Sequence, residues 1–554
     1  MRCAVLLNLR VPAISSGSLA HVAALCVAAC TSPVFSLEIG RPPAVADSSG
    51  EGVRFERIVK GVEAPHAASR MDAYLPPEGR TVEDVLHELR KLSENLGESK
   101  SIEDLRAAAS RMAELKCPEA ARYLWEAYAK SWNADRKRAL LSAIADIGDG
   151  SQAVPLAAES IRAFPRSLRR HAAERAFRCD RARMLSLLDS VLFSEAWKYA
   201  SCHRVAAVEA LHAIRSGEAI ERLVKAVGDK DGDVAAVAAE ALALLRHAPA
   251  VPAMIERLKT AKDDRDLRMD IAEALMDLTG EAFGADAALW EDWWKKSGAA
   301  FSAPEPRPHR ISPLWEGPPG PYEGVAPDDP YSWEIGNCPM DLVILYDTTG
   351  SLCNKWPYLS TAVDSLLREL HRRAPRMRTG AVRYRATENS MTYRIMPFPM
   401  TRNLDKLRES VREASFGGGS GGLNLALAHA LTQMRWRLKA RRVIWIFGDM
   451  SPDAAGGGPT AAAFWVDNAR REDGFLISTL YVESAHGGSH RAVYRGLAEL
   501  GGGRFYEYDE AERQWVDWTS GAADRKRKEF PHVLAERLLT PRKTAAGGRK
   551  EEGP

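Results

Sequence analysis

The tripeptide Glu-Ala-Leu occurs at 209–211, 240–242 and 273–275, at spacings of 31 and 33 residues, and Ile-Glu-Arg-Leu occurs at 220–223 and 255–258, 35 residues apart. Repetition at that period, in segments of helical apolar spacing, marks paired helices joined by short turns such as Gly228-Asp229-Lys230-Asp231-Gly232. One pair cannot bury its own apolar face, so consecutive pairs must stack into a solenoid with a continuous core. The pattern runs over 81–299 and is clearest over 205–279. After it come Phe283, Trp290, Trp293 and Trp294, whose spacing puts three indoles on one helical face. We read them as a cap on the last repeat rather than a platform for nucleic acid or sugar.

Residues 301–330 hold nine prolines, a density that blocks helix and sheet and predicts a linker. Beyond it the pattern changes. Apolar runs at 342–346, 380–385, 392–397, 443–448 and 475–482 alternate with helical segments, the first at 358–372. Such alternation predicts a doubly wound α/β sheet. The first run ends in Asp347-Thr348-Thr349-Gly350-Ser351. Asp347, Thr349 and Ser351 alternate, so three oxygens converge at the strand's C-terminal edge, where open α/β sheets bind ligands. Hard cations such as Mg2+ take oxygen ligands of this kind and retain some water.

The helical array resembles HEAT repeats, and Asp-x-Thr-x-Ser at 347, 349 and 351 resembles the metal-ion-dependent adhesion site of von Willebrand factor A-type domains. Two further pieces follow in that family's order. Ser420, in Phe-Gly-Gly-Gly-Ser-Gly-Gly, stands where the family has Thr or Asp, and Asp449 stands at its second strand-end Asp. The resemblance covers roughly 338–510 and implies a ligand set of Asp347, Thr349, Ser351, Ser420 and Asp449 for Mg2+, Mn2+ or Ca2+. It implies no catalysis, and a partner protein that presents an acidic residue to the metal. Ser420 departs from the pattern, because a serine hydroxyl ligates without bringing charge. HEAT-like arrays present a concave surface to another macromolecule or act as spacers.

Three enzyme classes compete for the same residues. A haloacid dehalogenase-like phosphatase would use Asp347 as nucleophile, and Gly448-Asp449-Met450-Ser451-Pro452-Asp453 fits its late acidic motif, but its lysine loop is not recognisable and position 349 lacks the general-acid Asp. An aspartic protease needs a second carboxylate motif that the chain does not repeat. A serine hydrolase would need Gly418-Gly419-Ser420-Gly421-Gly422 at a strand-to-helix elbow, whereas the preceding segment reads as helix. A metal-free structural scaffold is the remaining alternative.

The first 37 residues contain no Asp or Glu and carry a short apolar run, 19–29, after Arg2 and Arg10, which resembles an export signal. Val27-Ala28-Ala29-Cys30 resembles a lipobox, with Cys30 as a lipid-bearing membrane tether. The expected location is extracytoplasmic: periplasmic, secreted or lipid-anchored. A net charge of +2 gives no sign of a nucleic-acid partner. The five cysteines after the signal match no zinc spacing. Arg378, Arg383, Arg385 and Arg394 lie in the second and third strands, either solvent-facing or attracting an acidic partner.

The expected architecture is thus multidomain: an all-α HEAT-like solenoid followed by a doubly wound, Rossmann-like α/β domain of A type. Its divisions are a signal peptide over 1–36, a lead-in over 37–80, the solenoid over 81–299, a Pro-rich linker over 300–337, the A-type domain over 338–515, and a C-terminal helix with a basic tail over 516–554.

Overall fold

The computed structural model describes residues 74–99, 101–148, 150–193, 201–304, 339–373, 376–385, 395–412, 416–417, 422–452, 457–482, 488–509 and 514–517. The chain divides into two compact units, Met1–Pro43 and Ala44–Pro554. The first unit lies outside the described residues, as do Cys30, most of the Pro-rich linker, Arg394 and the C-terminal helix.

The N-terminal half holds thirteen helices among the described residues: α1 (Val82–Glu98), α2 (Ile102–Glu114), α3 (Pro118–Lys130), α4 (Ala134–Asp146), α5 (Ala153–Arg162), α6 (Arg166–Cys179), α7 (Arg181–Phe193), α8 (Ser201–Ile214), α9 (Gly217–Val227), α10 (Gly232–Leu244), α11 (Val251–Thr260), α12 (Arg265–Thr279) and α13 (Ala287–Ser297). Turn carboxylates set the helix starts. Asp231 accepts from the backbone N–H groups of Asp233 and Val234 to cap α10, and Asp264 accepts from Leu267 to cap α12. The helix α12 stops at Gly280, whose φ of 82° is the left-handed turn that favours glycine. The three Glu-Ala-Leu copies fall on α8, α10 and α12, which pack side by side, while the Ile-Glu-Arg-Leu copies fall on α9 and α11. One continuous apolar core runs from Val85 to Trp290. Trp290 is fully buried, donates from Nε1 to the Gly284 carbonyl at 2.8 Å and meets Phe283 edge-on, so the indoles form the expected cap.

The second half is a seven-stranded sheet: β1 (Met340–Asp347), β2 (Met377–Tyr384), β3 (Ile395–Thr401), β4 (Arg441–Gly448), β5 (Leu476–Val482), β6 (Gly502–Asp509) and β7 (Gln514–Asp517), ordered β3-β2-β1-β4-β5-β6-β7. The pairs β2–β3 and β6–β7 are antiparallel and the rest parallel. Helices α14 (Trp356–Arg373), α15 (Leu404–Arg412), α16 (Leu423–Thr432), α17 (Gly458–Asp473) and α18 (Gly488–Leu500) complete the domain. Leu342, Ile344 and Tyr346 enter one apolar layer, Val343 and Leu345 the other, as the two-residue period of a strand requires. Strand β1 is buried along its whole length, as expected of a central parallel strand.

The sheet domain packs on the solenoid at α6, α10 and α12, so that part of the array meets the chain's own second domain. Glu240 on α10 accepts from the backbone N–H groups of Leu438 and Lys439 at 2.8 and 3.0 Å. On α12, Asp270 meets Arg378, Arg402 and Arg435, and Glu273 meets Arg437 and Arg402. Asp473, at the end of α17, accepts from the backbone N–H groups of Arg166 and Ser167 at 2.8 and 2.9 Å, capping α6, which no side chain of its own caps. The aromatic rings of Phe164 and Trp465 pack at 4.6 Å between centroids.

The arginines of the second strand are therefore not solvent-facing. Arg378 is 1% exposed and pairs with Asp341 and Asp270, so its acidic partner lies within the chain. Arg383 and Arg385 are buried too, Arg383 bonding the Tyr346 hydroxyl at 2.6 Å and lying over the Phe398 ring. Among the described residues Cys202 and Cys353 are free thiols. Among the described residues no helix is long and apolar enough to cross a membrane.

Candidate metal centre

The strand order reverses between β1 and β4, whose parallel neighbours run outward in opposite directions. That reversal opens a crevice beyond their carboxyl ends, the place where open α/β sheets bind ligands. Asp347 ends β1 and Asp449 follows β4, so the topology brings together two carboxylates 102 positions apart in sequence. Both are fully buried. Gly448 permits this approach: a Cβ there would lie 2.9 Å from the Asp347 Cβ and collide with the hydroxyls of Tyr384 and Tyr494.

The loop after β1 folds back on its own carboxylate. The Thr349 backbone N–H donates to Asp347 Oδ1 at 2.8 Å, while Oδ2 is buried with no hydrogen-bond partner among the described residues. The hydroxyls of Thr349 and Ser351 are 3.0 Å apart. Burial, and then the charge of Asp449, push the Asp347 carboxyl well above its ordinary range. Two carboxylates facing one another in a dry site oppose each other's ionisation, and a cation between them reverses that penalty. The donors present, two carboxylates and two hydroxyls, suit a hard cation. Among the described residues no group of three or more His, Cys, Asp or Glu forms a metal cage.

Ser420 lies outside the described residues, within 418–421. The residues on either side of that stretch are fixed beside the site. Gly417 donates its N–H to the Thr348 carbonyl at 3.1 Å. Gly422, at φ 95°, sits so close to Arg385 that a Cβ would come within 2.7 Å of its carbonyl oxygen. Among the described residues the element preceding the glycines is helix α15 rather than a strand.

Three supporting residues had no signal in the sequence. Tyr384, on β2, donates to the Phe447 carbonyl at 3.1 Å and meets the Tyr494 hydroxyl at 3.2 Å; Tyr494 in turn donates to the Met450 carbonyl at 3.3 Å. His490 Nδ1 accepts from the Ser451 backbone N–H at 3.1 Å and lies 2.6 Å from the Ser451 hydroxyl. These bonds hold the loop that carries Asp449. Their partners come from α18 and β2, remote in sequence, and only the sheet order makes them neighbours.

Residues 201–276 match the HEAT repeats family. No curated protein matches the chain. Among solved structures, the pilus adhesin SpaC of Lactobacillus rhamnosus GG is similar at 12% identity over 32% of this chain and 29% of that one, with a TM-score of 0.25. An aerotolerance-related membrane protein of Bacteroides fragilis is similar at 13% identity over 31% of this chain and 94% of its own, TM-score 0.23. Manganese-loaded TRAP of Plasmodium vivax is similar at 15% identity over 29% of this chain and 64% of its own, TM-score 0.22. The chain thus spans less than a third of the adhesin's length. Its own topology and repeats define it as a HEAT-like solenoid joined to a doubly wound α/β domain.

Proposed function

We propose that the chain is a non-enzymatic protein-binding module that engages its partner through a divalent cation, Mg2+ or Mn2+, held by Asp347, Thr349, Ser351, Ser420 and Asp449. The observation that carries this reading is the buried, unbonded Oδ2 of Asp347 facing the charge of Asp449. A bound cation would supply charge and direction for a carboxylate on the partner. The chain's own residues position the site: Gly448 admits the close approach, Tyr384 and Tyr494 brace the second loop, and the glycines at 417 and 422 seat the third.

The solenoid's role in this reading is to hold the domain. The seat is built on the N-terminal ends of the strands, at Asp341 and Arg378, whereas the site is at their C-terminal ends. From 341 to 347 along β1 is about 20 Å at the rise of a strand. The site therefore faces away from the junction. Export through the 1–36 segment, with or without lipid at Cys30, would place it outside the cytoplasm.

Calorimetric titration of the full chain with Mg2+ and Mn2+, beside Asp347→Ala, tests the reading. Saturable one-site binding lost in the variant supports it. Equal heats for both chains would leave the metal-free scaffold as the better description.

A further inference from the structure

A cavity of about 60 Å³ lies at the junction, walled by Arg166 and Arg169 of α6, Cys202 and Glu209 of α8, and Gln433 and Arg435 just after α16. Its lining carries three arginines against two carboxylates, Glu209 and Asp233. Asp233 engages Arg435 at 2.9 Å, and Arg435 also pairs with Asp270. Glu209 pairs with Arg166 and stands 3.9 Å from Arg169, so one carboxylate serves two guanidinium groups. Arg169 is 7% exposed, and its Nε–H has no hydrogen-bond partner among the described residues; the same holds for Nη1 of Arg166.

A buried guanidinium retains its charge and presents five N–H donors. Here Nη1 of Arg166 and Nε of Arg169 line the void without a partner among the described residues, while Nε and Nη2 of Arg166 bond Glu209 and the Trp436 carbonyl. Burial pushes the Cys202 thiol up to about 11, so it contributes no negative charge at neutral pH. The cavity also adjoins the start of α8, where the helix dipole favours an anion.

We propose that this cavity binds a small inorganic oxyanion of the phosphate class, with Arg169 and Arg166 as its donors and the wall at Gln433 closing it from the sheet domain. Guanidinium forks match the oxygens of such an ion. A water needs about 10–15 Å³ of such space, so the volume suits one tetrahedral ion in place of several waters. It falls far short of the roughly 300 Å³ where organic-ligand pockets begin, which excludes a nucleotide or a phosphopeptide. Because both domains line the cavity, the ion would tie them together.

The test is thermal unfolding of the full chain in phosphate and in chloride at matched ionic strength. Phosphate should raise the melting temperature saturably, by about 2–4 °C, in the wild-type chain and not in Arg169→Met. General stabilisation by excluded salts does not saturate and is shared by both chains. No difference between the anions, or an equal rise in Arg169→Met, overturns the proposal. Gln433→Glu decides the matter should Arg169→Met not fold. It places a carboxylate on the cavity wall, so it should be more stable than wild type in chloride and indifferent to phosphate. A wild-type phosphate response in Gln433→Glu overturns the proposal equally.

Discussion

Arg378 Nη2 lies 2.8 Å from Asp341 Oδ2 within the sheet, and Nη1 of the same guanidinium lies 3.2 Å from Asp270 Oδ2 on the solenoid. One buried cation thus serves two domains at once. Burial disfavours the charged forms, but the arginines around Asp341 and Asp270 outweigh it and hold both carboxyls below their ordinary range. Removing one member of a buried ion cluster leaves the others uncompensated, at a cost of about 3–5 kcal/mol. Asp270→Ala should lose that much in urea denaturation. An effect below about 1 kcal/mol, the scale of a surface pair, would mean that the cluster is hydrated.

Glu240 makes a different kind of contact, because its acceptors satisfy the backbone N–H groups of Leu438 and Lys439. Glu240→Ala should cost about 1–3 kcal/mol for each donor left buried without a partner. Hydrogen exchange at those two amides should accelerate well before global unfolding. Unchanged protection there would refute the role assigned to Glu240.

Metal should stabilise the chain by mass action, about 2.7 kcal/mol when the cation is a hundredfold above its dissociation constant. A chelator should remove that gain from wild type and change nothing in Asp347→Asn. Gly448→Ala should behave like Asp347→Asn and also be destabilised by about 1–3 kcal/mol, because its methyl group collides with Tyr384 and Tyr494. A Gly448→Ala chain that kept the full metal response would show that the two carboxylates need not approach so closely.

Acid should act in two stages. Burial, reinforced by neighbouring arginines, lowers His171 and His212 from 6.5 to about 4. The unfolded chain takes up these protons first, so their contribution is present above pH 6.5 and is lost as the pH falls towards 4. Burial alone would raise Glu209 and Glu273, but Arg166 and Arg437 lead the charges that hold them down from 4.5 to about 2. Their contribution is present above pH 4.5 and is lost as the pH falls from there towards 2. Stability measured across this range should decline below pH 6.5 and fall more steeply below 4.5. A flat profile between pH 6.5 and 4 would show that the histidines are hydrated in the fold.

Much of this was legible from residue patterns. The Glu-Ala-Leu period placed α8, α10 and α12, and the Asp347 cluster lies at the end of the central strand as its spacing required. Strand β2 begins at Met377, three residues earlier than its apolar run suggested, while the expected start of β3 at 392 lies outside the described residues. In the sequence the Glu of each repeat is one letter of a helical signature, yet Glu209, Glu240 and Glu273 are buried at or beside the junction. Apolar periodicity reports which face a helix hides from water. It carries no information about what covers the polar residues beside that face. The same gap explains Arg383 and Arg385, whose alternation along a strand fits an exposed edge as well as a buried face.

The cap of α6 bears on how the protein is made. Asp473 closes that helix from 307 positions downstream of Arg166. Translation proceeds at about 5–20 residues per second, so the helix waits roughly 15–60 s for the residue that completes its first turn. During that interval Asp270 and Glu273 lack the arginines of the second domain and Glu240 lacks the Leu438 and Lys439 amides, so the nascent solenoid carries three hydrated carboxylates where its junction will form.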